Sequence, residues 1–482
     1  MIEGLSPCID GGRFAAKRIL GEQVLVQADV FADGHEAVRC MLLHQPVLED
    51  PWQRSVMSPL GNDRWQGSFR AQQLGRCLYT VEAWVDHLET WRADLLKRHG
   101  AGQDPAVDLL RGSQMVHAIA ARADGTDAQR LRDWADALAD RRVSAQQRVT
   151  LSQSPALHQL AQAYPDRAQI VRHEPALVLQ VERERARYST WYEMFPRSTA
   201  ADPGVHGTFA DCQARLAYVA RLGFDVLYLP PIHPIGSSAR RGPNNQLSSD
   251  VGDPGSPWAI GSEAGGHKAV NPRLGTLEDF RRLVSRATEL GMEIALDIAF
   301  QCSPDHPYVR EHPEWFLKRP DGTIQYAENP PKTYQDIYPF NFESPAWREL
   351  WHELASIFDF WLEQGVRIFR VDNPHTKPFG LWEWLIARVQ RRYPEAIFLA
   401  EAFTRPKVMY RLAKAGFTQS YTYFAWRNTG YDLTEYFCSL RTAPVSDFFR
   451  PNLWPNTPDI LTEYLQFGGR PAFMARLVLA AT

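Results

Sequence analysis

The sequence predicts a multidomain protein in which an N-terminal β-sandwich with a helical insertion precedes a (β/α)8 TIM-type barrel. Its 482 residues are enough for two to four domains. Two patterns carry the prediction: short runs that alternate apolar and polar residues near the N-terminus, and a recurring unit of helix, glycine and strand in the second half.

The first of these patterns covers residues 1–104, where short alternating runs such as residues 24–30 are separated by Gly, Pro and Asp. Alternation with a period of two is typical of half-buried strands, so we expect a β-sandwich. Residues 105–170 are largely free of proline and have apolar positions at helical spacing, which predicts a helical insertion and a candidate dimer interface. Alternation returns in residues 171–187, the expected return strand of the sandwich.

The second pattern lies in residues 188–482, where a helix ends at a glycine and a buried strand follows at once. Glycine suits this position because the residue that closes a helix often adopts a left-handed conformation. Thr276 and Asp279 have the spacing of a capping box at the start of one such helix. Alternating helices and buried strands predict a parallel sheet, and their number favours a closed barrel. The four closing glycines are Gly223, Gly291, Gly365 and Gly416.

Two long loops interrupt the barrel pattern, at residues 230–272 and 303–344. A βα unit needs only roughly 30 residues, and the two units that contain these loops are far longer. Long loops of barrels leave the C-terminal ends of the strands, where such folds carry their functional sites. We therefore expect both loops to cover a pocket.

Composition and charge exclude several classes of partner. The formal net charge is -3 and the pI is about 6.5, so we expect no nucleic-acid or anionic membrane partner. The six cysteines show no metal-ligand spacing, which favours reduced thiols in a cytoplasmic protein without a metal or a cofactor. No signal peptide or spanning segment is predicted.

Three acidic residues follow predicted strands, where a barrel exposes its chemistry: Asp372, Glu401 and Asp459. Arg370 points to the same side as Asp372 because side chains alternate along a strand, so it can keep that carboxylate ionised as a nucleophile. Glu401, on an apolar strand, is predicted to be protonated and to act as the general acid. Two carboxyl groups about 5 to 5.5 Å apart would give a retaining reaction through a glycosyl-enzyme.

Each of these residues also has a structural interpretation. A single aspartate after a strand is commonly a helix cap, and Arg370 could serve as an ion-pair partner alone. The carboxylates on successive strands, together with the two long loops, favour the catalytic interpretation. Asp459 is then the third member, which would hydrogen-bond sugar hydroxyls and help to distort the ring.

Residues 190–480 resemble the α-amylase superfamily. The segments 270–276, 369–372, 400–401 and 456–459 are similar to its conserved regions and occur in the same order. One segment departs from the pattern: Gln301 and Cys302 stand where the superfamily carries Asn and His, so its frequent calcium contact is not expected here.

Within that superfamily, several longer strings resemble the α-1,4-glucan:maltose-1-phosphate maltosyltransferases; they are WYEMFPRS (191–198), PPIHPIG (230–236), GDPGSPWAIG (252–261), ENPPKTYQDIY (328–338) and DNPHTKP (372–378). The resemblance implies transfer of a maltosyl unit from α-maltose 1-phosphate to the non-reducing end of an α-1,4-glucan, with release of phosphate, by a homodimer. It implies that Asn329, Lys332 and Tyr334 bind the donor phosphate and that Gln301 and Asn373 contact sugar hydroxyls. Arg241 is a further substrate-binding candidate, at a position where we expect a lysine in relatives.

Two alternatives remain open at this stage. The same barrel could serve an α-amylase-type hydrolase or a trehalose-forming isomerase, or it could belong to a catalytically silent glucan-binding or assembly protein. Residues 471–482 read as the seventh barrel helix, so we expect a chain truncated before the eighth strand and helix.

Overall fold

The computed structural model describes residues 1–46, 51–166 and 169–482. The described residues form two compact units. The first unit comprises residues 1–13, 21–72 and 76–179, and the second comprises residues 14–20, 73–75 and 180–482.

Antiparallel strands dominate the first part of the first unit. One sheet has the strand order Ile2–Ser6, Gln23–Val30, Arg64–Arg70 and Ser58–Gly61. A second set pairs Val38–Pro46 with both Gln53–Val56 and Gly75–Val85, and Gly75–Val85 with Val171–Arg172. The predicted alternation is confirmed in Gln23–Val30, where Val24, Val26, Ala28 and Val30 are buried.

Five helices follow in the described part of this unit, and their apolar faces form one core around Leu95, Leu131 and Leu157. The first helix begins at His87, inside the range predicted as sandwich. Asp86 directly follows the strand that ends at Val85, and it caps this helix by accepting a hydrogen bond from Glu89 N at 2.9 Å, so no turn sequence marks the change. The helices are His87–Gly100, Ala106–Ala120, Gly125–Ala139, Ala145–Ser152 and Pro155–Gln162.

A parallel sheet of seven strands organises the described part of the second unit. We number these barrel strands first to seventh: Trp191–Glu193, Val226–Leu229, Glu293–Ile298, Ile368–Val371, Ile397–Ala400, Gln419–Tyr421 and Pro451–Asn452. Each strand pairs in parallel with the next one in the chain, which is the strand order of a (β/α) barrel. Two further strands, Ala16–Ile19 and Leu177–Glu182, are not part of this parallel sheet.

Helices connect these strands as the sequence predicts, and a capping box of Thr276 and Asp279 begins the second of them. The four predicted closing glycines all have positive φ, between 76° and 125°, which confirms their role at helix ends. The helices are Phe209–Arg221, Leu277–Glu289, Trp347–Glu363, Phe379–Arg392, Pro406–Lys414, Gly430–Arg441, Val445–Phe448 and Glu463–Ala481. None of the helices in the described ranges is long and apolar enough to cross a membrane.

The two faces of the fourth barrel strand have different surroundings. Phe369 and Val371 belong to the large core shared with the helices. Ile368 packs instead with Ala295 and Ile397 from the neighbouring strands, on the other face of the sheet. Because side chains alternate, Arg370 and Asp372 share the face of Ile368 and point along the inside of the sheet.

The long loops and the residues beside them contain short elements of their own. The strand Gln301–Cys302 pairs with Tyr338–Pro339, a helix spans Pro307–Glu311, and Ala327–Asn329 forms a hairpin with Lys332–Tyr334. A buried ion pair joins the two loops: Arg241 Nε lies 3.4 Å from Asp336 Oδ1. Arg241 Nη2 also donates to the Thr333 carbonyl at 2.6 Å. The hairpin is therefore fixed to the earlier loop.

Candidate active site

A cavity of about 1310 Å³ opens at the C-terminal ends of the parallel strands. Residues from both long loops line it, together with the strand-end residues Glu193, Tyr228, Arg370, Asp372, Glu401 and Tyr421. A deep cavity with several converging polar groups at this end of a barrel is the usual location of an active site.

Arg370 is the centre of the polar network in this cavity. Its Nη1 donates to Asp297 Oδ2 at 2.8 Å and to Asp372 Oδ1 at 2.9 Å. Its Nη2 lies 3.4 Å from Glu401 Oε1. The predicted contact between Arg370 and Asp372 is present, and one buried guanidinium serves three carboxyl groups from neighbouring strands.

The backbone after the fourth strand is shaped around Asp372. Asn373 has φ of 44° and ψ of 52°, a left-handed conformation that is uncommon for residues other than glycine. In this conformation its backbone N–H donates to Glu401 Oε2 at 3.1 Å, and its Nδ2 lies 3.4 Å from Asp372 Oδ2. Lys377 Nζ donates to the backbone carbonyls of Asp372 and Asn373. These contacts fix the positions of the Asp372 and Glu401 carboxyl groups relative to each other.

The carboxyl of Glu401 is the candidate proton donor of the cavity. Burial raises its pKa to about 8, the Arg370 guanidinium opposes the change, and the negative charge of Asp372 adds to it. Glu401 is therefore protonated at neutral pH, the direction predicted from its apolar strand. A protonated carboxylic acid beside an arginine-held carboxylate is the arrangement of a general acid and a nucleophile.

Asp297 and Tyr228 complete the network, and the sequence analysis assigned neither of them a role. Asp297 lies on the third strand in register with Arg370 and is fully buried. Its Oδ2 accepts hydrogen bonds from Tyr228 Oη at 2.6 Å and Trp258 Nε1 at 3.2 Å. Burial raises the pKa of Asp297 to about 6, against the effect of Arg370. The sequence signal that could have identified Asp297 is its position next to the last residue of a buried strand.

Asp459 lies at the rim of the cavity, in the segment after the seventh strand. Its side chain is exposed, and its Oδ1 accepts a hydrogen bond from Thr457 Oγ1 at 2.7 Å. In the described part of the chain, it makes no ion pair with Arg370. The structure thus brings Asp459 into the same cavity as Asp372 and Glu401 but leaves it outside their hydrogen-bond network.

The residues expected to bind the donor phosphate lie on the loop hairpin. Asn329 and Tyr334 line the cavity, whereas Lys332 is exposed opposite Asn329 and lies outside the described lining. Arg241 is buried, and its guanidinium carbon lies 5.9 Å from the centre of the Tyr334 ring. Gln301 also lines the cavity, and its Nε2 donates to the Trp258 carbonyl at 3.3 Å.

One buried group in the described ranges has the residue types of a metal site: the ligand atoms of His267, Cys302 and His306 lie within 4.8 Å of one another. Hydrogen bonds already use both nitrogens of each ring. Tyr308 N–H donates to His306 Nδ1 at 3.0 Å, His306 Nε2 lies 3.1 Å from His267 Nδ1, and His267 Nε2 lies 2.9 Å from the Ala299 carbonyl. Neutral rings satisfy all three bonds, and a metal would have to displace the central one.

The fold and the carboxyl groups define an α-amylase-type barrel protein. Residues 192–366 match the family described as the α-amylase catalytic domain. Residues 1–183 match the family described as domain N/S of α-1,4-glucan:maltose-1-phosphate maltosyltransferase. The chain belongs to the α-1,4-glucan:maltose-1-phosphate maltosyltransferase family, which confirms the resemblance found in the sequence.

Two relatives with that name match the whole chain. The protein of Methylacidiphilum infernorum is 51% identical over 482 residues, which cover 100% of this chain and 72% of the relative. The protein of Chlorobaculum tepidum is 52% identical over the same shares of the two chains. Among solved structures, an α-amylase from Lactobacillus plantarum is 28% identical and covers 54% of this chain and 60% of that one, with a TM-score of 0.45.

Proposed function

We propose that this protein transfers a maltosyl unit from α-maltose 1-phosphate to the non-reducing end of an α-1,4-glucan and releases phosphate. The substrates and the reaction are proposed because the chain belongs to this family. The observation that carries the chemistry is Arg370 between Asp372 and Glu401, which provides one ionised and one protonated carboxyl in the same cavity.

In the first step, Asp372 attacks the anomeric carbon of the donor. Its Oδ2 is the attacking atom, because Oδ1 accepts the hydrogen bond from Arg370. The bond between the anomeric carbon and the phosphate oxygen breaks, and Glu401 gives its proton to that oxygen. The products are a maltosyl ester on Asp372, an ionised Glu401 and free phosphate.

In the second step, the ionised Glu401 accepts the proton of the glucan hydroxyl as its oxygen attacks the anomeric carbon. The ester bond to Asp372 breaks, and two inversions give overall retention. Formation of the ester removes the negative charge of Asp372, which is one cause of the raised pKa of Glu401. The pKa of Glu401 therefore falls once the ester has formed, so Glu401 stays ionised and is available as the base that the second step requires.

The remaining predicted residues bind the two parts of the donor. Asn329, Lys332 and Tyr334 bind the phosphate with an amide, a positive charge and a hydroxyl on one short hairpin. Arg241 supports that hairpin through Thr333 and Tyr334, since its own charge is paired with Asp336. The other three contact sugar hydroxyls; they are Gln301, Asn373 and Asp459.

The decisive experiment measures phosphate release from α-maltose 1-phosphate with and without maltohexaose, with product lengths read by mass. Release that requires the acceptor, and products that grow by two glucose units, are expected. Water as the acceptor would indicate a hydrolase, and trehalose formation without phosphate would indicate an isomerase. No reaction by the folded chain would favour a silent glucan-binding protein.

We also propose that the protein is a cytoplasmic homodimer. The six free cysteines fit a reducing compartment. Exposed apolar side chains on the helices of the first unit, Leu96 and Val107, support an interface within that helical region. Light scattering at micromolar concentration tests the assembly, and a clean monomer would contradict it.

A further inference from the structure

Glu193 is a cavity residue to which neither the sequence analysis nor the proposed reaction gives a role. It ends the first barrel strand, Trp191–Glu193, where it pairs in register with Tyr228 of the second strand. Its side chain lines the cavity beside the Arg370 network. Side chains on strands are held more precisely than side chains on loops.

The carboxyl of Glu193 has no hydrogen-bond donor within the described residues, in contrast to Asp297 and Asp372, which both accept from Arg370. Burial raises its pKa to about 7, Arg370 opposes this, and the charges of Asp297 and Asp459 add to it. A half-buried carboxyl that faces a cavity without a protein donor is suited to a ligand that supplies one.

The position of Glu193 in the sheet indicates which part of the ligand it meets. Sheet order places Glu193 and Glu401 on opposite sides of the strand that ends at Asp372. Glu401 must face the phosphate, because it gives that group its proton. Glu193 therefore faces the sugar that is transferred, and its field reaches Asp459, the other carboxylate expected to meet sugar hydroxyls.

We propose that the Glu193 carboxylate is a sugar-binding group that accepts a hydrogen bond from a hydroxyl of the maltosyl unit. This inference rests on the proposed function, because it takes the transferred disaccharide as the ligand. Glu193 holds the donor in place while Asp372 attacks, and it takes no proton in the reaction.

The proposal gives binding a pH dependence with a definite sign. An ionised carboxylate is a stronger hydrogen-bond acceptor than a protonated carboxyl. The affinity for the maltosyl unit should therefore increase as the pH rises through about 7, where Glu193 loses its proton. The charged or titratable groups that face it are Tyr228, Asp297, Arg370, Tyr421 and Asp459. Tyr228 and Tyr421 keep their protons at these pH values, because burial raises the pKa of each phenol.

The test is calorimetric binding of maltose at pH 6 and pH 8 to the full chain and three variants, with thermal unfolding as the control for folding. Maltose contains the two rings of the donor without the phosphate, so its binding needs no transfer reaction. Glu193→Ala should weaken it on the order of 10-fold. Glu193→Gln should weaken it by about 3- to 10-fold at pH 8 and hardly at pH 6. Glu263→Gln, an exposed loop glutamate, should have no effect.

Each outcome decides the matter. Equal maltose affinity in all proteins, or no maltose binding by the folded wild type at millimolar concentration, would overturn the proposal. If Glu193→Gln lowers the maltose affinity equally at both pH values and also lowers the melting temperature, Glu193 has a structural role instead. A pH-dependent loss without phosphate release by the wild type would keep the sugar contact and reject the proposed transfer.

Discussion

The strand ends and the loops of the same cavity hold their side chains in different ways. Arg370, Asp372 and Glu401 are held by polar contacts of 2.9 and 3.4 Å at the ends of adjacent parallel strands, and Arg370 and Asp372 are buried. Asn329 and Lys332 lie on an exposed hairpin, which Arg241 of another loop contacts through an ion pair with Asp336 and a hydrogen bond to the Thr333 carbonyl. This difference fits the proposed division of tasks, in which the strand ends carry out the chemistry and the loops bind the leaving group.

The charges at the strand ends show why the protons must be shared unequally. Asp297, Asp372 and Glu401 compete for the single guanidinium of Arg370. With carboxyl groups so close in a buried site, full ionisation is costly, and some must keep a proton. The pKa of Glu401 is raised to about 8 and that of Asp297 to about 6, so Glu401 carries the proton at pH 7. The raised pKa supports the proposal that Glu401 is the general acid.

The largest effect should come from removing the nucleophile. Asp372→Ala leaves no group to form the maltosyl ester, so phosphate release should fall by about 10⁴-fold or more. Acceptor-dependent phosphate release under saturating donor measures this. Asp202→Ala, an exposed loop aspartate, should retain full activity, and both variants should unfold at similar temperatures. Substantial release by folded Asp372→Ala would place the nucleophile elsewhere.

A smaller loss is expected for Glu401→Gln, about 10²- to 10⁴-fold, the usual contribution of general acid–base catalysis. The wild-type value of kcat/KM for the donor should fall as pH rises above about 8, because Glu401 then loses the proton that it must donate. That alkaline limb should be absent in Glu401→Gln. A pH profile measured from 6 to 9.5 checks both statements, and an unchanged limb in the variant would assign it to another group.

Much of the strand-end chemistry follows from the sequence. Arg370, Asp372 and Glu401 are recognisable because each lies at or beside the end of a short buried strand, and the period of two fixes which side they face. Asp297 and Tyr228 were missed because they lie within nearly continuous apolar runs, where a polar residue gives no sign of its partner. Their hydrogen bond joins residues 69 positions apart.

The positions of the loop residues in the cavity are harder to predict from the sequence. The strings around Asn329 and Lys332 identify a family, but their placement depends on Arg241 and Asp336, which are 95 residues apart. No local pattern encodes such a contact. The exposed position of Lys332 could not be predicted for the same reason, since it depends on how the hairpin is placed. Lys332 and Tyr334 are two residues apart in the sequence, yet Tyr334 lines the cavity and Lys332 does not.

At the hairpin, Lys332→Ala should raise the KM for α-maltose 1-phosphate by about 5- to 20-fold, because an exposed positive charge contributes modestly to phosphate binding. The KM for maltohexaose should change little, since the acceptor carries no phosphate. Lys318→Ala removes another exposed lysine from the same loop and serves as the matched control. Equal changes in both KM values would remove the phosphate-binding role of Lys332.

The smallest effect is expected for Arg241→Lys. Lysine keeps the charge beside Asp336 but cannot also reach the Thr333 carbonyl with a second planar donor, so the hairpin should loosen. We expect the KM for the donor to rise by about 2- to 5-fold while kcat stays constant, because the variant loses one hydrogen bond in a partly open site. Arg273→Lys, at an exposed position, is the control. A fall in kcat with an unchanged KM would mean that Arg241 acts on the reacting groups directly, and the division between strand-end chemistry and loop binding would then fail at this residue.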